Sequence, residues 1–151
     1  MEMPKEIAGG FFARPRDAHK RSVGTVTVVG GSHGFPHAPV IAGLGARSAG
    51  AGLVRLVVPE ESRFAAGALL PEATVSDLGG DIPLSDVTVV GPGLGLGEEA
   101  AALVRENLSK EGRLVVDADA LAHYTRHTQS AAVTTARLCK VRGVVKTIVC
   151  K

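Results

Sequence analysis

The sequence predicts an α/β fold, a layered and mostly parallel sheet with helices on both faces. Three observations carry that prediction. Short β-branched runs, Thr25–Val29, Leu53–Val58, Val87–Val90 and Leu114–Val116, alternate with segments whose apolar residues recur at helical spacing. The runs are nearly continuous rather than alternating, as expected of parallel strands covered on both sides. Two of them empty into glycine clusters, Gly30-Gly31 and Gly91 to Gly97, and a third ends in acid at Asp117-Ala118-Asp119. Strand, helix and strand in alternation imply right-handed crossovers, with ligands beyond the carboxyl ends of the strands. The three junctions are therefore expected to meet at one edge of the sheet.

Residues 1 to 22 are mixed in character and contain proline, and they are expected to wrap the surface before the first strand. Ala38 to Ala49 carries Val40, Ile41 and Leu44 at helical spacing among Ala and Gly, the pattern of a helix pressed closely onto a sheet. Gly43 and Gly45 each cost about 1 kcal/mol against Ala in a helix, so close packing must compensate. Leu53 to Val58 is the second strand, ended by Pro59. Glu60 to Leu70 reads as a helix and Ala73 to Ser76 as a short strand. Glu98 and Glu99 open the next helix, where acids favour the amino-terminal dipole. Leu103, Val104 and Leu108 give that helix its apolar face, and Gly112 ends it. The strand Leu114 to Val116 follows at once.

Composition excludes several function classes. The 151 residues are 45% hydrophobic, enough for one globular domain that buries roughly two-thirds of its unfolded surface. Aromatics make up only 3% and Trp is absent, so stacking platforms for bases are scarce. A net charge of +2, from 17 basic and 15 acidic residues spread along the chain, leaves no footprint for nucleic acid. The one basic cluster, Arg14, Arg16, His19, Lys20 and Arg21, reads first as a solvated arm. No apolar run is long enough for a membrane span or a signal peptide. Cys139 and Cys150 have neither zinc-site nor disulfide-framework spacing, which fits a reducing cytoplasm.

A strand that runs through glycines into a helix leaves backbone N–H groups unpaired at the helix start, where they can cradle a phosphate. Taken alone, Gly91 to Gly97 is more often a tight connection than a nucleotide site. It lacks the Gly-Lys-Ser/Thr end of a Walker A loop and departs from the Gly-x-Gly-x-x-Gly dinucleotide pattern. Asp117 and Asp119 could hold a ribose hydroxyl or a hydrated Mg²⁺, or cap the following helix, and capping by Asp119 is the commoner outcome. His19, His33 and His37 show no metal-ligand spacing, so exposed loop histidines are expected and no metal ligand is assigned.

Read together, these residues resemble the ADP- or ATP-dependent NAD(P)H-hydrate dehydratase family, whose fold is ribokinase-like. The resemblance runs through Arg14-Pro15-Arg16-Asp17-Ala18-His19-Lys20, Gly24, Val28-Val29-Gly30-Gly31-Ser32 and Ala38. It continues through Ala49-Gly50-Ala51-Gly52-Leu53-Val54, Pro71-Glu72, Gly91-Pro92-Gly93-Leu94-Gly95 and Asp117-Ala118-Asp119-Ala120-Leu121. It implies a metabolite-repair lyase that eliminates water from hydrated NADH or NADPH, driven by ADP or ATP hydrolysis, with Mg²⁺ as a companion ion. By resemblance, Ala38 and Gly93 line the hydrated cofactor's pocket, and Gly91 and Gly95 offer N–H groups to phosphate. Asp117 and Asp119 complete the cofactor-binding set.

The sequence also departs from the family pattern. His37 stands where the family has a small glycine, and Arg21-Ser22 replaces Gly-Asp. No Pro-His-x-Gly-Glu segment follows Leu121, and the late Gly-x-Gly-Asp segment, whose Asp is the family's expected catalytic residue, is not found. Residues 130 to 151 resemble the family's next helix and strand, as if an internal stretch were lost. No catalytic residue is assigned, and residues 1–151 read as a single, incomplete domain. Three functions stay open: a shortened dehydratase with impaired or no activity, a non-catalytic nucleotide-binding or oligomer-forming module, and a truncated product with no function of its own.

Overall fold

A computed structural model describes the backbone of residues 23–128, 136–141 and 144–150, and the side chains of residues 23–124. The basic cluster Arg14 to Arg21 and the family-like segment around it lie outside the described residues.

The strands are β1 (Thr25–Val29), β2 (Leu53–Val58), β3 (Thr74–Asp77), β4 (Val87–Val90), β5 (Arg113–Asp117), β6 (Ala136–Val141) and β7 (Val144–Cys150). They form one sheet in the order β3-β2-β1-β4-β5-β7-β6. The first five strands are mutually parallel, joined by helical crossovers except between β3 and β4, where residues 78–86 carry no helix. β7 runs antiparallel to β5, and β6 antiparallel to β7. The helices are α1 (Ala38–Ser48), α2 (Arg63–Leu69), α3 (Glu98–Ser109) and α4 (Asp119–Thr128), with a 3₁₀ turn at Glu60–Ser62 leading into α2.

Neighbouring strand residues point to opposite faces, so Val28 and Val29 serve two different cores. Val28, Val54, Leu56 and Val58 pack under α1 and α2, with Val40, Ala66 and Leu70. Val29, Val57, Val90, Leu114 and Val116 pack under α3 and α4, with Leu94, Val104, Ala120 and Tyr124. Helices thus cover both faces of a mostly parallel sheet, the expected fold class.

Several expectations are corrected. Gly43 does face the sheet, where a Cβ would stand 2.9 Å from Leu56 Cδ2, but a Cβ on Gly45 would meet open space, so packing compensates only the first. The helix expected to run to Gly112 stops at Ser109, where Lys110 turns extended, and Gly112 instead makes the turn into β5 at φ +128. The third strand is displaced by one residue, to Thr74–Asp77.

Ala136-Arg137-Leu138, likened by resemblance to the family's next helix, lie instead in β6, because the β-branched residues of β7 offer an antiparallel partner from Ala136↔Cys150 to Val141↔Val144. The final strand is therefore interior, flanked by β5 and β6. In that register Cys139 is opposite Thr147 and Cys150 opposite Leu114 and Ala136, so the two cysteines are not partners.

Candidate functional site

The chain leaves β1 for β2 and β3 on one side, then returns to β4 and β5 on the other. The order reverses between β1 and β4, and a crevice beyond the carboxyl ends at such a reversal is where open α/β sheets bind ligands. Both glycine clusters emerge there.

The two clusters are joined by their backbones. Gly31 N–H donates to the Pro92 carbonyl at 2.8 Å, and Gly91 N–H donates to Val29 O at 3.0 Å. A Cβ on Gly30 would overlap the Pro92 carbonyl oxygen. Gly91, at φ +122, is pressed against the β5–α4 turn so closely that a Cβ would overlap Asp117 O. Gly93, at φ +65, lies on the start of α1, where a Cβ would stand 2.8 Å from Ala38 Cβ and 2.7 Å from Phe35 Cβ. Positive φ together with no room for a side chain makes glycine the fitting residue at both positions.

The next glycine is held by side chains. Gly95 N–H donates to Asp119 Oδ2 at 2.9 Å, and Gly95 O lies 3.1 Å from His123 Nε2. Since a carbonyl can only accept, that ring nitrogen carries the proton. Asp119 is the first residue of α4, and its carboxylate reaches across to the glycine loop, whereas the expectation was a cap on its own helix. Ala118, the one non-glycine described residue with positive φ (+47), turns the chain sharply between Asp117 and Asp119.

All six sequence-predicted residues therefore lie around the glycine loop. Gly93 meets Ala38, Gly91 meets the Asp117 backbone, and Gly95 bonds Asp119. The three strand ends converge as expected. The donors differ, however, from those the resemblance implies for phosphate: the N–H groups of Gly91 and Gly95 are engaged internally. Gly93 N–H has no hydrogen-bond partner among the described residues, and no side chain caps α3 behind Gly97.

His123 and Phe35 were missed by sequence reasoning. For His123 a signal existed, because it follows Asp119 by four residues and so shares its helix face. Phe35, 63% exposed beside Gly93, left no pattern at all.

An open cleft of about 920 Å³ lies on the other side of the loop, between the ends of β1 to β3 and α3. Leu78, Leu94 and Leu103 give it an apolar floor, and Glu60, Glu61, Asp77 and Glu99 an acidic rim. None of the six candidate residues lines it. The rim opposes a phosphate group, although Glu60 is paired with Arg63 at 2.7 Å. That bond, with the attraction of the same carboxylate, holds the Arg63 pKa above its ordinary value. Glu98, at the start of α3, is held below the usual glutamate value by its hydrogen bond to Arg105 and by the Arg105 charge. Among the described residues no group of three or more His, Cys, Asp or Glu could hold a metal ion. No described helix is long and apolar enough to cross a membrane.

Comparison with known proteins gives a consistent result. The pattern of the NAD(P)H-hydrate dehydratase family matches residues 26–139. A bifunctional NAD(P)H-hydrate repair enzyme from Gloeobacter violaceus is 43% identical over 128 residues, which cover 76% of this chain and 25% of that protein. An ADP-dependent (S)-NAD(P)H-hydrate dehydratase from Streptococcus thermophilus is 35% identical over 127 residues, covering 78% of this chain and 46% of its own. Among solved structures, a ribokinase-like superfamily protein from Enterococcus faecalis superposes with a TM-score of 0.76 at 26% identity, covering 87% of this chain and 50% of that one. An ADP/ATP-dependent NAD(P)H-hydrate dehydratase from Bacillus subtilis, co-crystallised with ATP/Mg²⁺, gives 0.69 at 27% identity, covering 78% and 45%. The fold is thus ribokinase-like, and the chain spans between a quarter and a half of the length of these proteins.

Proposed function

The chain belongs to the NAD(P)H-hydrate dehydratase family, and from that premise we propose that it carries the substrate-facing part of such a site. The hydrated ring of NADH or NADPH rests against Ala38 and Gly93. The observation that carries this reading is the seating of Gly93 on Ala38, at positive φ, where the sheet order reverses. The phosphates of ADP or ATP approach Gly93 N–H, which has no partner among the described residues, rather than the start of α3, whose first turn already carries Glu98 and Glu99. Gly91 and Gly95 shape the loop. Asp117 and Asp119 border it, and Mg²⁺, where needed, is carried mainly by the nucleotide's own phosphates.

Elimination of water needs an acid or base at the reacting centre and a donor for developing negative charge. The Asp segment expected to supply the first is not found in these 151 residues. We therefore assign binding without turnover to these 151 residues on their own, in a cytoplasmic form that associates with itself. Calorimetry with ADP, ATP and NADPH, beside a turnover assay on hydrated NADH, tests both halves. Measurable binding with no turnover is expected. Absence of all binding removes the site, and rates typical of enzymes remove the claim of inactivity.

A further inference from the structure

His123 is buried, only 7% exposed, on the face of α4 that it shares with Asp119. A neutral aliphatic residue would suit a buried helix position at no desolvation cost, so an imidazole there requires a polar partner. Its partner is the carbonyl oxygen of Gly95, at 3.1 Å, and the same glycine's N–H is bound to Asp119 at 2.9 Å. A single glycine, at φ +86 and with no side chain of its own to fix it, is thus held at both its donor and its acceptor by side chains one helical turn apart.

We propose that His123 is a positioning residue, which together with Asp119 clamps Gly95 and so fixes the conformation in which the loop Gly91–Gly97 meets its ligand. The inference rests on the reading of that loop as the ligand site. Gly95 is two residues from Gly93, and a rotation about its φ and ψ would swing the segment between Gly93 and α3. An unclamped glycine populates several such conformations, and binding would then have to select one of them. The clamp removes that cost before the ligand arrives.

The test compares wild type with His123→Leu, which keeps apolar volume but no donor, and with His123→Gln, which restores an N–H donor. Asp119→Ala releases the other end. Each is measured for melting temperature, for hydrogen exchange at the Gly95 amide in the ligand-free protein, and for ADP and NADPH affinity by calorimetry. The expected result for His123→Leu is a near-native melting temperature, faster Gly95 exchange and affinity weakened about tenfold, with His123→Gln recovering both. Equal affinity and equal Gly95 exchange in His123→Leu and wild type overturn the proposal, as does failure of His123→Gln to recover them in a folded protein. Should His123→Leu not fold, unchanged Gly95 exchange and affinity in Asp119→Ala overturn it equally. A wild type that binds neither ADP nor NADPH refutes the functional reading, while the exchange measurement still decides whether the clamp exists.

Discussion

Gly93 is the position where backbone conformation, packing and the proposed ligand coincide. Replacing it with valine forces a β-branched side chain to φ +65 and into Ala38 and Phe35, so the loop itself must move. Affinity for ADP or NADPH should fall by about tenfold or more, equivalent to roughly 1.4 kcal/mol, and calorimetry that finds it unchanged would remove the loop from the site. Thr27, in the middle of β1, makes the opposite case. Its hydroxyl is fully buried with no hydrogen-bond partner among the described residues, on the sheet face that carries Val29. Thr27→Val should raise stability by about 1 kcal/mol in a urea titration, because it removes an unsatisfied polar group at nearly constant volume. The gathering of the candidate residues around the glycine loop could be read from the sequence, because Gly91, Gly93 and Gly95 follow one strand while Asp117 ends another and Asp119 follows it. The direction of the Asp119 carboxylate could not, since a side chain at a helix start can cap its own helix or reach across, and only the packing of α4 beside the loop decides.

The helix α1 shows how one glycine can be required and its neighbour not. A Cβ on Gly43 would press on Leu56, Leu70 and Val54, and Gly43→Val should cost about 1–3 kcal/mol through overpacking. Gly45→Ala meets no neighbour and should stabilise by up to about 1 kcal/mol, with opposite shifts of the two melting temperatures as the check. At the other end of the sheet, Asp86 joins the starts of β1 and β4. Its Oδ2 accepts from Thr25 N–H at 2.7 Å and from Thr25 Oγ1 at 2.8 Å. The backbone hydrogen bond, then the hydroxyl, holds the Asp86 carboxyl below its ordinary pKa. A lowered folded pKa means that this contribution is complete above the unfolded value and is lost as pH falls through the folded one. The melting temperature should therefore drop below about pH 4, and less steeply in Asp86→Asn. Strands β1, β2 and β4 were legible to the residue, because their apolar runs are bounded by Gly, Pro or Asp. β6 was not, since Ala136-Arg137-Leu138 suits a helix as well as a strand, and its partner β7 settles the matter.

Among the described residues, the sheet order leaves β3 and β6 as the outer strands, with β7 enclosed between β5 and β6. The edge beyond β7 is thus β6, whose outer backbone groups pair with no described strand. Outer strands of this kind template pairing with another chain. The surface adds apolar area: Ile41 is 68% exposed and Leu44 44%, three residues apart on α1, and Phe35 lies close to the start of that helix. Exposed apolar groups gathered on one surface favour association, and a second copy of the chain is the partner always present. Sedimentation velocity at micromolar concentration should then show dimers or larger species. Ile41→Asp with Leu44→Asp should return the protein toward monomer if α1 forms the contact. Association that survives the double substitution points to the β6 edge instead. A cooperative monomer in the wild type would refute self-association altogether and would mean that both the outer strand and the apolar face of α1 are tolerated in water.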